Sequence, residues 1–307
     1  MNGDKQWSYL INKVSSKKVG VCAGGSAART HSVPPFIEIL RNMNLKPLRK
    51  SFLNSRYSLY WTAPISFWSA LLVWWLVTRT AGLPAFILPS PLQVAVRFGK
   101  ALADGSLLNN TLVTLEEVLL GLLAGTVTAV VLGYLIAKSR LFERLVAPYL
   151  VATQAIPIVA IAPLLVIWFG PGIFSKVLIC GLIVFFPVLV NTVVGVRAVP
   201  RPLHDLMGSL YATPSQTLRY LELPAALPIL LGGLRVGATL SVIGAVVGEL
   251  VGSDQGLGFL VNVARGQYDT ALVFVAVFTL ILLALALYGV VALAESKLLV
   301  WQESYEE

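Results

Sequence analysis

Asp205-Leu-Met-Gly-Ser-Leu-Tyr-Ala-Thr-Pro-Ser-Gln-Thr-Leu-Arg-Tyr-Leu-Glu-Leu-Pro224 is a polar, charge-bearing island between two long apolar segments. It is too amphipathic to cross a bilayer and too patterned to be a plain linker. Pro200 and Pro202 end the segment before it, residues 203–211 are expected to form a short amphipathic helix, and Thr213-Pro214-Ser215-Gln216 restarts another. In that restart Thr213 caps, Pro214 takes the first helical position, and Gln216 stands where a capping-box partner reaches back. Two short helices with a bend at about residues 211–213, lying across the membrane, would present a knob to a soluble partner. An interfacial loop without a partner is the plainer reading of the same pattern.

On either side of the island the chain is apolar enough to set the class. Of the 307 residues 57% are hydrophobic and only 12% charged, and the mean hydropathy is +0.80, outside the range of water-soluble domains. A membrane span needs ~20 mostly apolar residues. Six stretches meet that length: about 61–80, 112–137, 145–169, 173–196, 228–251 and 271–294. They are far longer than the ~10 alternating residues of a barrel strand, so the expected fold is an all-α integral membrane protein of about six transmembrane helices.

Charge gives the expected topology. Lys5, Lys13, Lys17, Lys18, Arg29, Arg41, Lys46, Arg49, Lys50 and Arg56 face only Asp4 and Glu38, so the whole excess of +8 lies in residues 1–59. Basic residues favour the cytoplasmic side. That rule puts the N-terminal tail 1–59 inside and, six spans later, the C-terminal tail 302–307 inside as well. Lys138, Arg140 and Arg144, then Arg197, Arg201 and Arg219, also fall on inner connections. The tail lacks a helical basic stripe and aromatic interleaving, so a topology signal with attraction to anionic lipid is preferred to a nucleic-acid arm. No apolar stretch before residue 61 reads as a cleavable signal. Cys22 and Cys180 form neither a disulfide framework nor a metal-ligand spacing.

Other segments carry local signals. Ser90 and Pro91 start a short helix whose Val94, Phe98 and Leu102 form one apolar stripe, expected to lie on the outer surface or against neighbouring spans. Gly121, Gly125 and Gly133 line the second span and admit a closely packed helix. Pro157 and Pro163 each free a carbonyl and bend the third span. Nearby Gln154, like Asn191 in the fourth span, either bonds a neighbouring helix or lines a pathway. In the fifth span, Arg235 is expected to snorkel to headgroups. Fourteen residues on, ~21 Å along the helix, Glu249 precedes a glycine-rich turn, Gly252 to Gly258. Glu249 is a candidate for the outer gate, and Ser241 joins Gln154 and Asn191 as a candidate pathway residue.

The island also resembles the cytoplasmic signature of ABC-importer permeases, which runs Glu-Ala-Ala, three residues, Gly, nine residues, Ile, one residue, Leu-Pro. Its positions fall on Asp205, Leu206, Met207, Tyr211, Leu221, Leu223 and Pro224, with the acid kept as Asp and the turn glycine replaced by Tyr211. The resemblance covers about residues 83–301. It is closest to the nitrate, sulfonate, taurine and thiamine-pyrimidine branch, through Leu88-Pro-Ser-Pro91, Thr153-Gln-Ala-Ile-Pro157, Ala162-Pro-Leu-Leu165, Trp168-Phe-Gly170, Gly248-Glu249 and Gly256-Leu-Gly258.

What the resemblance implies is a permease domain, residues 60–301, with a coupling loop, 198–224. Asp205, Gly208, Tyr211, Ala212, Thr213, Pro214, Leu223 and Pro224 would meet a cytoplasmic ABC ATPase, present in two copies. A second permease copy and an extracytoplasmic solute-binding protein complete the implied assembly. The chain has no Gly-x-x-x-x-Gly-Lys-Ser/Thr loop, so no cofactor is expected on it, and ATP and Mg belong to the partner. The rival readings are an ion-gradient-driven secondary carrier, which needs midplane carboxylates, and a membrane scaffold. A small anion such as a sulfonate and a flat heterocycle such as a vitamin precursor suit the scattered polar residues equally.

Overall fold

The computed structural model describes residues 56–80, 82 and 84–299, with side chains from residue 64 onward. Residues 1–55, which hold nearly all of the basic tail and Cys22, and the tail 302–307 lie outside them. Ten helices follow in order among the described residues: α1 (Arg56–Thr80), α2 (Pro91–Ala103), α3 (Ser106–Lys138), α4 (Arg140–Gln154), α5 (Ile158–Phe169), α6 (Ile173–Arg197), α7 (Arg201–Ser209), α8 (Pro214–Val251), α9 (Leu257–Gly266) and α10 (Thr270–Leu298). Four of them, α3, α6, α8 and α10, are each long and apolar enough to cross a membrane, and α4 with α5 makes a fifth span if the pair is counted as one. The first expected span, 61–80, lies within α1, which is not among these four or five.

The helices form where the pattern and the caps agree. Ser90 accepts from the Gln93 amide while Gln93 accepts from the Ser90 amide, a complete capping box with Pro91 at the first helical position. α2 then buries Val94 and Ala101 against Leu257, Leu260, Leu272 and Val275. Phe98 and Leu102, assigned to the same stripe, are exposed. The buried positions are seven residues apart, two turns along the same face.

At the centre α6 is packed between α3 and α8. The glycine face of α3 meets it as expected. A Cβ placed on Gly125 would stand 2.6 Å from the Gly181 carbonyl oxygen, so two backbones touch there with no side chain between them. Val118, Cys180, Ala238, Val242 and Ala245 fill the adjoining core. Outward-facing Leu123, Val127 and Val131 on α3 are exposed; for a helix in lipid this is the favourable arrangement, since the backbone is satisfied internally and the surface can be apolar.

Three expectations are corrected by the structure. The third span, 145–169, is not one kinked helix: α4 and α5 are bent by 96° at a break covering residues 155–157. Pro157 is the break, acting as N-cap of α5 with φ −68° and ψ 116°, whereas Pro148 and Pro163 stay inside helices. The second helix of the island is not short. It begins at Pro214, passes through a π-helical turn at Leu218–Glu222, and runs on to Val251, 38 residues in all. Arg235 does not reach for headgroups: it ion-pairs with Glu295 on α10 and lies over the Tyr288 ring at 5.2 Å.

Candidate functional site

The elbow between α7 and α8 is built from a short helix that stops abruptly. Leu210 donates to the Leu206 carbonyl at 3.1 Å, Tyr211 to Gly208 at 3.0 Å and Ala212 to Met207 at 3.0 Å. This closure satisfies the last carbonyls of α7 through a residue in the left-handed region. That residue is Tyr211, with φ +54°, so the tyrosine adopts the backbone for which glycine is the usual choice. Thr213 then caps α8: its Oγ1 accepts from the Gln216 amide, and Gln216 Oε1 accepts from the Thr213 amide at 2.8 Å.

Almost nothing covers α7. Asp205, Gly208, Thr213 and Pro214 are exposed, Ala212 and Pro224 half-buried. Tyr211 is 94% exposed, and Leu203, Leu206, Leu210 and Leu223 also lie open. An exposed apolar patch of this kind marks a contact with another protein or with the membrane surface. Relieving Tyr211 of its strained backbone is a direct check on the turn. Tyr211→Gly is expected to slow amide exchange at Ala212, with a gain of up to about 1 kcal/mol. Unchanged or faster exchange would show that the side chain, not the backbone, sets the turn.

The base of the knob is held by a contact that sequence reasoning missed. Glu222, in the π-helical turn, is fully buried. It takes an ion pair from Lys138 at the end of α3, a hydrogen bond from Tyr134 Oη at 3.2 Å, and a contact from His204 Nε2 of α7 at 3.1 Å. One carboxylate thus joins α3, α7 and α8. The available signal was a lone acid two residues before Pro224, where the chain turns apolar; Lys138 and Tyr134 lie 84 and 88 residues earlier.

The opposite ends of α3, α6 and α8 carry a second polar cluster. Glu249 is 1% exposed; it accepts from Thr114 Oγ1 at 2.6 Å and from the Gly258 amide. The Gly256 amide donates to Asn110 Oδ1 at 2.7 Å and the Leu257 amide to Thr114 Oγ1 at 2.8 Å. The glycine-rich turn is therefore a cradle. Gly256 sits at φ +107°, where a Cβ would overlap Glu249 Oε1, and the N-terminus of α9 meets the carboxylate through the Gly258 amide. Beside it Lys176 Nζ lies 2.9 Å from Glu117 Oε1 and donates to Ser253 Oγ at 2.6 Å, with both charges almost wholly buried. Glu117 and Lys176 were not singled out from sequence, because each reads as an ordinary residue near a span end.

The remaining pathway candidates are not gathered with Glu249. Gln154 is exposed at the break between α4 and α5. Asn191 donates to the Pro187 carbonyl within its own helix at 2.8 Å, and buried Ser241 to Ala238 at 2.8 Å.

With this geometry in view the comparisons with known proteins are specific. Residues 129–300 match the family model described as binding-protein-dependent transport system inner membrane component. The chain is 48% identical over 241 residues to the riboflavin transport system permease protein RibX of Chloroflexus aurantiacus, covering 78% of this chain and 90% of that protein. It is 36% identical over 233 residues to the formylaminopyrimidine transport permease protein ThiX of Halalkalibacterium halodurans, covering 76% and 92%. Among solved structures, an inward-facing MetNI methionine ABC transporter superposes with a TM-score of 0.53 at 18% identity, over 64% of this chain and 97% of that one, which supports the fold.

Proposed function

The chain belongs to the binding-protein-dependent transport inner-membrane components, the non-catalytic permease subunits of ABC importers, and from that premise we propose that it forms the translocation pathway for a small flat heterocycle of the vitamin or vitamin-precursor class. Permeases of this family work with a separate ATPase and a solute-binding protein. In our reading ATP and Mg are held by two copies of that ATPase, a second copy of this chain completes the pathway, and both termini are cytoplasmic. Similarity to riboflavin and formylaminopyrimidine permeases favours the heterocycle over a sulfonate.

The observation that carries the coupling is the exposed apolar elbow, Leu206 to Tyr211, clasped at its base by Glu222. Movement of the ATPase against α7 would pass through His204 and Glu222 to α3 and α8, so a soluble event biases the packing of spanning helices. ATP acts here by differential contacts with two arrangements of the bundle. Asp205, Gly208, Ala212, Thr213, Pro214, Leu223 and Pro224 frame this contact. Glu249, held in its cradle, closes the far end.

The test is the double variant Leu206→Glu with Tyr211→Glu in the reconstituted transporter. Both side chains are exposed, so the fold is retained. Loss of a contact centre of this kind weakens association by roughly 30-fold, and recovery of the ATPase together with substrate-stimulated ATP hydrolysis should fall accordingly. Wild-type stimulation in this variant would sink the coupling assignment. Uptake of radiolabelled riboflavin against taurine, with the cognate binding protein, decides the solute class.

A further inference from the structure

At the α7 end of the bundle two cavities adjoin. The first, about 640 Å³, is lined by Lys138, Arg140, Arg144, Arg197, Arg201 and His204, with Glu143 and Glu222. The second, about 290 Å³, is walled by Val130, Val131, Leu135, Leu218, Ala226 and Leu230. Val196 and Glu222 line both, so the basic space passes along one wall into the apolar one.

The charges in the first cavity do not balance. Arg197 is committed to Glu143 through two bonds of 2.8 Å, and Lys138 and His204 to Glu222. Among the described residues Arg140, Arg144 and Arg201 make no ion pair within 4.0 Å. Arg140 and Arg201 also open α4 and α7, where the helix field adds to the positive potential. Three guanidinium groups around one cavity match the oxygens of a phosphate.

The level of the cavity identifies what carries that phosphate. Lys138 and Arg197 are the last residues of two spanning helices, so the basic cavity stands at headgroup height. The apolar cavity reaches Val130, eight residues back along α3, ~12 Å deeper into the bilayer. Val131 and Leu135 are exposed along its mouth. A phosphate site at headgroup level that continues into an apolar groove has the shape and polarity of one phospholipid.

We propose that this face binds an anionic phospholipid of the adjacent leaflet, its headgroup phosphate held by Arg140, Arg144 and Arg201 and an acyl chain laid along α3, α6 and α8. The bound lipid touches Glu222, so it braces the base of α7 against the membrane. The inference stands on the bundle and its charges and does not depend on which solute is carried.

Retention of phosphatidylglycerol is measured by mass spectrometry of the full chain purified from vesicles of phosphatidylglycerol and phosphatidylcholine. The wild type should keep phosphatidylglycerol selectively. Each basic residue near an anionic surface contributes about 1 kcal/mol, so the combined Arg140→Gln, Arg144→Gln and Arg201→Gln variant should lose that preference by on the order of 100-fold. Val131→Trp, which blocks the groove and leaves every charge in place, should release the lipid too. Should the triple variant fail to fold, Arg201→Gln and Val131→Trp, each at an exposed position, carry the test. Unchanged retention in the variants overturns the proposal. Equal competition by inorganic phosphate, with no effect of Val131→Trp, would make this a free-anion site. Loss of the ATPase, or of a second copy of the chain, with lipid retained would make it a protein contact.

Discussion

Replacing Lys176 with methionine is expected to destabilise the folded protein by about 3–5 kcal/mol, the cost of removing one member of a buried ion pair. Lys176 and Glu117 are 4% and 1% exposed and lie 2.9 Å apart, with Glu249 buried beside them. The cluster sets two carboxylates against one ammonium and one helix N-terminus. Glu249 is served by Thr114 and the amide of Gly258, whereas Glu117 takes its ion pair from Lys176, and its Oε2 is buried without a hydrogen-bond partner. Taking away the ammonium leaves Glu117 with no counter-charge in a region where water cannot replace it. The check is thermal unfolding in mild detergent for Lys176→Met, Glu117→Gln and the double variant. The single lysine variant should be the least stable of the three, and the double variant should recover much of the loss because the orphaned charge goes with its partner. A double variant no better than Lys176→Met would mean that the loss comes from packing and the broken bond to Ser253, not from charge.

Much of this architecture was legible in the chain. Caps are local, so Ser90 with Pro91 and Thr213 with Gln216 could be read from a few residues each, although the Gln93 half of the first cap was not. The glycine face of α3 followed from spacing alone. Prolines were legible only in part. Pro163 stays inside a helix, whereas Pro157 stands in the break between two and caps the second. The difference is tertiary: α5 is held on α6 and α8, whereas α4 leans on α3, and the chain breaks where the two sets of contacts diverge. The apolar helix starting at Pro214 hid its length for the opposite reason, since the polar island concealed a helix that a π-helical turn carries through it.

Partners far apart in sequence were not legible. Arg235 looks like a snorkelling residue until Glu295, sixty positions on, is seen beside it. Glu222 reads as one more polar residue of the island until Lys138, Tyr134 and His204 converge on it. Glu249 was visible as an acid in an apolar span, and the glycines after it as a turn. That the turn wraps the carboxylate required coordinates, because only φ +107° at Gly256 and the close approach at Gly258 reveal the cradle. At both ends of the bundle, then, the functional candidate was visible and the group that positions it was not.

Gly125→Leu is expected to prevent α3 and α6 from packing and to leave little folded protein. Even the first carbon of the new side chain would lie 2.6 Å from the Gly181 carbonyl oxygen and 3.0 Å from its Cα. Both are backbone atoms, so no rotamer change can yield, and the helices must separate. Overpacking of a tight core ordinarily costs about 1–3 kcal/mol, occasionally more; here the separation also strips contacts from Val118, Val184 and Val188, all buried along the same seam. Because α6 is packed on α8 as well as on α3, a displaced α6 carries the disturbance to the core shared with Ala238 and Ala245. The loss should exceed about 3 kcal/mol, near the high end for single changes. Gly99→Leu provides the matched control, since a Cβ at that glycine on α2 meets nothing within 4 Å. Size-exclusion profiles and protease resistance of the two variants in detergent separate the cases: Gly99→Leu should resemble the wild type, and Gly125→Leu should elute as aggregate and be digested rapidly. If Gly125→Leu instead ran as wild type, the α3 and α6 backbones could not be in contact in the folded protein, and the placement of α6 at the centre of the bundle would have to be abandoned.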